Sequence, residues 1–278
     1  ASGQVSILQH ITGPNISIVT ACATSTHCIG LAARSIEHGD ADVMLAGGGE
    51  HSTSPLAMAG FCAARAMSTR NDDPKAASRP YDIDRDGFVM SNGAGTIVLE
   101  EYEHAKARGA KIYAELIGFG MSSDAYHITL PPADGEGARK CMAAAINDAG
   151  IDPSDIDYIN THRTSTPAGD IGETNGIKRA FGDYAYRLPA SATKSMHGHL
   201  VGGTGSLEAA ITIRSMVLKD GLAYVQLNGR GLLVVDLAEV YIIDDTDNNP
   251  ATNVIAGPIM DHVGARPVLV FGALAAVG

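Results

Sequence analysis

Cys22 stands in the stretch TACATSTHCIG, residues 20–30, between a β-branched apolar run (Ile16, Ile18, Val19) and the alanine-rich start of a helix expected over Ile29–His38. A thiol at a strand-to-helix junction sits where backbone N–H groups and the helix dipole stabilise a thiolate. The competing reading is a small buried hydrophobe, the ordinary fate of a cysteine, and position alone leaves the two evenly matched. Two further segments carry reactive side chains: NTHRTSTPAGD (160–170) with His162, and ATKSMHGHLVGGTG (192–205) with Lys194, His197 and His199. Both follow apolar strand-like runs, and the loops at the carboxyl ends of strands are where α/β folds place their sites. A cysteine that meets histidines means acyl transfer, of either the protease or the thioester kind. Each residue also has a plain structural reading: His162 as a satisfied core histidine, Lys194 as a charge on the side of a helix. His197 and His199 lie two apart without a third ligand at a diagnostic spacing, so no metal is expected.

The elements that must position these residues alternate. Asp42–Ala46 reads as a buried strand running into Gly47-Gly48-Gly49, residues 60–85 as polar loop with a few helical turns, and Gly95–Glu100 as a strand. A short helix at Glu101–Arg108, a long strand at Ile112–Phe119, a helix at Gly137–Ala149 closed by Gly150, and a buried strand at Ile156–Asn160 follow. Helix Asp170–Phe181, strand Leu188–Thr193 and an apolar helix Gly205–Lys219 complete the part with clear periodicity; Leu232–Asp236 and Val240–Ile243 are strand-like, with a polar turn at Asp244–Pro250. Strand and helix in succession mean an α/β fold with helices packed on sheets. AARSIEHGD (32–40) and TIRSMVLKDG (212–221) each end a helix that follows a strand and a small-residue turn, a weak echo of a duplicated half.

Composition narrows the function classes. The chain has 278 residues, 45% hydrophobic and 18% charged, enough for one large domain or two fused halves. A formal charge of -11 argues against nucleic acid as the main partner and offers no polybasic membrane anchor. With no apolar run long enough to span a bilayer, the expected compartment is the cytoplasm. Four cysteines (Cys22, Cys28, Cys62, Cys141) make no disulfide framework, and no C-x-x-C pair suggests zinc. Cys28, Cys62 and Cys141 read as structural, Cys28 facing the core.

Taken together, ACATSTHCIG, GDADVMLAGGGE, RAMSTRNDDPKAASRPYDIDRDGF, NGAG, HRTSTPAGD and TKSMHGHLVGGTGSLEA resemble the β-ketoacyl-acyl-carrier-protein synthases, the elongating condensing enzymes of bacterial fatty acid synthesis. They run in the family's order from residue 15 to about residue 221, with Cys22 and His162 140 positions apart, His162 and Lys194 32, and Lys194 and His199 five. The resemblance implies a thiolase-like α/β fold, layered α-β-α-β-α, in two duplicated halves: the remainder of the first at 1–109 and the second at 110–278. It implies a homodimer without metal or cofactor, in which Ile16–Thr20 is a strand that pairs across the two-fold axis. It implies that Cys22 takes an acyl chain from an acyl carrier protein as a thioester. A malonyl carrier then loses carbon dioxide, and its enolate attacks that thioester to give a 3-oxoacyl carrier. His162 and His199 match the histidines that hydrogen-bond the enolate oxygen, Lys194 and Glu208 a charged pair that orders them, and Thr164 and Thr166 the residues that bind the pantetheine arm. Arg65 matches a carrier-contacting position. Of the basic residues around it (Arg70, Lys75, Arg79, Arg85), most read as a solvated surface with internal salt bridges. The pattern H-x-T-S-T-P with T-K-S-M-x-G-H points to the decarboxylating branch rather than to a thiolase acting on free coenzyme A.

Three departures accompany the resemblance. The family has two strand-and-helix units before the position of residue 1, so the first half is expected to be incomplete. Arg163 follows His162 where the family has glycine, which predicts strained backbone or an obstructed pantetheine tunnel, and His197 replaces a threonine. Beyond Lys219 the pattern fades: VLVFGALAAVG stands where a glycine-rich loop with a gating phenylalanine belongs, and Phe271 is its one remnant. These features keep a second reading open, a catalytically impaired homologue or fragment that serves as a partner subunit of a condensing enzyme.

Overall fold

The computed structural model describes residues 2–215, 223–228, 231–236 and 267–270. Helix α1 (Ser2–Gln9) buries none of its side chains. The run Ile16–Thr20, expected as a strand, forms no regular element within the single chain; Ile16 and Val19 are 61% and 91% exposed. β-Branched residues favour extended backbone, but a strand needs a ladder partner, and none of the described residues supplies one. The chain then enters a 3₁₀ turn, Ala21–Ala23, that leads directly into α2 (Thr24–Glu37).

β1 (Val43–His51) pairs antiparallel with β2 (Asn92–Glu101), and α3 (Pro55–Ala63) lies between them in sequence. Ser54 starts α3 by accepting the N–H of Ala57, with Pro55 at the first helical position. β1 was expected to be buried, yet it is an edge strand, and Val43 and Leu45 are open to solvent. Then come α4 (Tyr102–Ala107), β3 (Ile112–Met121), α5 (Glu136–Ala149), β4 (Ile156–Asn160) and α6 (Pro167–Phe181). Gly150 ends α5 in the left-handed conformation, as its position after the last apolar residue predicts. β5 is shorter than expected, Ala190–Ser191, because Thr193 already has helical dihedrals ahead of α7 (Lys194–His197). A second 3₁₀ turn, Val201–Gly203, leads into α8 (Thr204–Ser215), and β6 (Ala223–Asn228), β7 (Gly231–Asp236) and β8 (Pro267–Val270) complete the described elements. The expected strand Val240–Ile243, the turn Asp244–Pro250, the tail of the last expected helix and Phe271 lie outside the described residues.

The eight strands among the described residues join one mixed sheet in the order β1-β2-β8-β3-β7-β6-β4-β5. One core lies where α2 and α8 cover it, around Ile29, Ile36, Leu99, Leu116, Phe119 and Ile213. A second lies under α5 and α6, around Met142, Ile146, Ile156, Ile159 and Phe181. Each fully buried Ile or Leu here contributes about 1.5–3 kcal/mol. Among the described residues no helix is long and apolar enough to cross a membrane.

Close approach of α8 to the sheet depends on Gly95: a Cβ there would lie 2.7 Å from the Leu207 nitrogen. α2 and α8 also pack on one another, and each is entered in the same way. The first residue of each 3₁₀ turn is a non-glycine at positive φ, Ala21 at 51° and Val201 at 48°. The second is Cys22 in one turn and Gly202 in the other.

Candidate active site

Cys22 leaves the 3₁₀ turn at the start of α2, His162 follows the end of β4, and His199 lies between α7 and the turn before α8. One ligand-type atom from each, the Cys22 sulfur and a ring nitrogen of each histidine, falls within 4.8 Å of the others. His199 Nε2 is 3.1 Å from Cys22 Sγ, and the two imidazoles meet edge to face with centroids 5.3 Å apart. On its other side His199 Nδ1 lies 3.1 Å from Thr204 Oγ1, and the Phe88 ring packs edge-on at 5.2 Å. With Nδ1–H donated to Thr204, Nε2 accepts from the thiol; with the other tautomer Nε2–H donates to the sulfur.

Lys194 is 1% exposed and Glu208 fully buried, and their charges meet at 2.8 Å. Thr193 Oγ1 donates to Glu208 Oε1 at 3.2 Å and accepts from His197 Nε2–H at 2.8 Å. The pair therefore organises His197 by contact. Lys194 also acts on His199 through its charge. Sequence reasoning missed Thr193, Thr204 and Phe88, which do the local fixing. It also missed Glu173, whose two oxygens accept the N–H groups of His162 at 2.7 Å and of Arg163 at 2.9 Å. An acidic residue eleven positions after the histidine, inside the next helix, was the available signal.

Burial sets the protonation states. Loss of solvent pushes the Cys22 thiol up to about 11; the Lys194 charge pulls it down by less, and Glu50 adds a smaller push upward. The thiolate expected from the helix start is thus outweighed, and the resting sulfur carries its proton. Burial, followed by the neighbouring His162, Lys194 and His197, holds His199 well below the usual imidazole range. His197 falls to about 4, again chiefly by burial. Burial raises Glu173 to about 7 against the pull of Arg163, and it raises Glu208 against that of Lys194. Alkylation of Cys22 by iodoacetamide is therefore expected to accelerate about tenfold per pH unit from about pH 7 to about pH 9.5 without levelling. Peptide mapping against pH checks this, and a plateau below about pH 8.5 would show that the helix start dominates after all.

Arg163 does not strain the backbone: its φ is not positive, and the left-handed residue of this loop is Ser165, at 69°. Its side chain is 7% exposed and lies against α6, with Nη2 donating to Thr174 Oγ1 at 2.5 Å and Nε 3.9 Å from Glu173 Oε2. The guanidinium also stacks 3.7 Å over Tyr81. Thr164 and Thr166 face one another at 3.1 Å, Thr164 buried and Thr166 half-buried. Arg65 is exposed, at φ 52° just past the end of α3, and among the described residues its side chain makes no ion pair. Three of its basic neighbours are engaged internally: Arg70 with the Asp84 carbonyl, Arg79 with Asp82 and Arg85 with Asp170. Cys28 is half-buried rather than fully in the core, Cys62 is exposed and Cys141 is buried; none of the four is in a disulfide.

Comparison with known proteins gives this geometry its context. Residues 1–105 match the family described as Beta-ketoacyl synthase, N-terminal domain, and residues 113–230 match Beta-ketoacyl synthase, C-terminal domain. The chain is 60% identical over 217 residues to a 3-oxoacyl-[acyl-carrier-protein] synthase 2 of Vibrio cholerae, an alignment covering 78% of this chain and 52% of that protein. It is 54% identical over 231 residues to a mitochondrial 3-oxoacyl-[acyl-carrier-protein] synthase of Arabidopsis thaliana, covering 82% and 50%. The chain thus spans about half the length of the curated relatives it matches. Among solved structures, a type II PKS ketosynthase in complex with its acyl-carrier protein aligns with a TM-score of 0.81 at 32% identity, over 84% of this chain and 66% of that one. A beta-ketoacyl synthase from Burkholderia phymatum aligns with a TM-score of 0.78 at 36% identity, over 84% and 64%. The fold is accordingly the thiolase-like α/β fold of the ketosynthases. Matched along both of its stretches by the two halves of one pattern, this chain belongs to the β-ketoacyl synthase family.

Proposed function

We propose that this chain carries the reaction centre of a 3-oxoacyl-[acyl-carrier-protein] synthase of fatty acid elongation. The observation that carries the proposal is the meeting of the Cys22 sulfur with ring nitrogens of His162 and His199 within 4.8 Å. In the first step the Cys22 sulfur attacks the carbonyl of an acyl carrier thioester. A new C–S bond forms, the bond to pantetheine breaks, and the thiol proton passes by way of His199 Nε2 to the departing thiolate. In the second step the C–C bond to the carboxylate of a malonyl thioester breaks and carbon dioxide leaves. The developing enolate oxygen takes hydrogen bonds from the two imidazoles, each such donor worth about 3 kcal/mol of barrier. The enolate carbon then attacks the Cys22 thioester, and the sulfur leaves as the 3-oxoacyl carrier forms. Lys194 and Glu208 hold a fixed, paired charge beside these atoms, and a His199 kept neutral by burial suits a role as donor and proton carrier.

The same reading assigns the pantetheine arm to Thr164 and Thr166, carrier docking to Arg65 and the gate of the acyl pocket to Phe271. Arg65 is favoured because it is exposed and makes no ion pair among the described residues, on a chain of net charge -11, where an acidic carrier needs a local cation. The working unit is a cytoplasmic homodimer with one half at 1–109 and the other at 110–278. The test is intact mass of the chain after incubation with an acyl-loaded acyl carrier protein, followed by peptide mapping. An acyl adduct on Cys22 is the expected result. Absence of an adduct on a folded chain would favour the impaired partner-subunit reading instead.

A further inference from the structure

The three side chains at the centre of the site form a ligand set as well as a reaction centre. We propose that Cys22, His162 and His199 bind a zinc ion as three ligands with one position left open, and that the ion shuts the site by occupying the nucleophile. One thiolate and two imidazoles are donors that zinc prefers, and three protein ligands with a free fourth position match the coordination of exchangeable zinc sites. Sequence spacing concealed the set, since its members lie on three separate loops and the nearest two are 37 positions apart.

The geometry is close to what the ion requires. Zinc bonds of about 2.0–2.3 Å place tetrahedral ligand atoms about 3.3–3.6 Å from one another. His199 Nε2 and Cys22 Sγ are 3.1 Å apart, a few tenths of an ångström under that span, and all three ligand atoms lie within 4.8 Å of one another, so the largest adjustment asked of any pair is about 1.5 Å. Thr204 provides the outer support: in the tautomer with the proton on Nδ1, its hydroxyl, 3.1 Å away, accepts Nδ1–H of His199 and leaves Nε2 to face the sulfur. The nearest buried cation, Lys194, is neutralised by Glu208 at 2.8 Å, and Glu50 adds a negative field at the sulfur. Cys22 and His162 retain some exposure, which gives the ion a way in. On binding, the S–H bond breaks, its electron pair goes to zinc and the proton leaves to solvent.

The proposal goes beyond the condensation reading, and its test needs no turnover. The full chain is titrated with zinc chloride by calorimetry, alongside Cys22→Ser, His162→Ala, His199→Ala and Thr204→Val. One ion per chain is expected, with affinity lowered at least about tenfold by each ligand substitution, and about tenfold by Thr204→Val. Zinc is also expected to protect Cys22 of the native chain from iodoacetamide, which thiol mapping reads directly. Absence of stoichiometric binding, or full affinity retained in any one of the three ligand variants, would overturn the proposal. If His199→Ala fails to fold, Cys22→Ser and Thr204→Val decide the matter by the same criterion. A chain that binds zinc but takes no acyl group would leave this inference standing and remove the condensation reading.

Discussion

His162→Ala is expected to separate the two half-reactions: acyl transfer onto Cys22 persists within a few-fold, while decarboxylation and condensation fall by about 10²–10³. The reason is positional. His199 Nε2 lies 3.1 Å from the sulfur, and His162 is held from behind by the Glu173 carboxylate on its backbone N–H. His199→Ala is expected to impair both steps, since it removes the acceptor of the thiol proton together with one enolate donor. Joint substitution of the two should be less than additive in the logarithm of the rate, because both act on the same oxygen. Burst measurement of acyl-enzyme alongside carbon dioxide release reads the steps separately. Equal loss of both steps in His162→Ala would contradict the assignment.

Lys194→Met is expected to cost about 3–5 kcal/mol of stability, because it leaves the Glu208 carboxylate fully buried without the cation that faces it at 2.8 Å. The variant's stability should also depend on pH with a definite sign. Burial already raises Glu208, and removal of Lys194 raises it further, so the folded variant holds a proton that the unfolded chain gives up. Stability from this group is then fully present below the unfolded carboxylate value, near about 4.3, and is lost as pH rises through the folded value. Urea midpoints at two pH values check this, the higher midpoint belonging to the more acidic buffer. Lys194→Met with Glu208→Leu should recover much of the loss, since an apolar pair of similar volume needs no compensating charge. Recovery of the fold without recovery of condensation would show that the pair serves chemistry as well as packing.

How far the sequence foretold this site depends on what kind of signal each residue carries. Cys22, His162, Lys194 and His199 sit in short motifs with reactive side chains, so residue type alone marked them. Thr204, Thr193 and Glu173 act through contacts made after α6, α7 and α8 have packed, and their residue types are common at helix starts for other reasons. α5 and β4 were legible because apolar periodicity and a closing Gly150 agree. Ile16–Thr20, expected as a strand that pairs across a two-fold axis, forms no strand within the single chain, because β propensity describes fit to a neighbour. β6 and β8 gave no pattern distinct from their surroundings. Arg163 misled in another way: substitution at a glycine position suggested strain, but the backbone takes its left-handed turn two residues later, and the guanidinium found Glu173, Thr174 and Tyr81.

The twin helix entries at Ala21 and Val201 show specialisation between equals. Each delivers a backbone N–H at the mouth of a helix, with a non-glycine residue held in a costly conformation to do so, about 1–3 kcal/mol apiece. At one mouth the second residue is the thiol. At the other, Gly202 gives its N–H to the Glu50 carboxylate at 3.2 Å, and a Cβ there would stand 3.0 Å from that same oxygen and 3.5 Å from the Ala21 carbonyl. The position that could have been a second nucleophile is filled instead by a carboxylate reaching over from β1. It has become the wall against which the first one is set: the chain keeps one workbench and has turned its twin into the bracket.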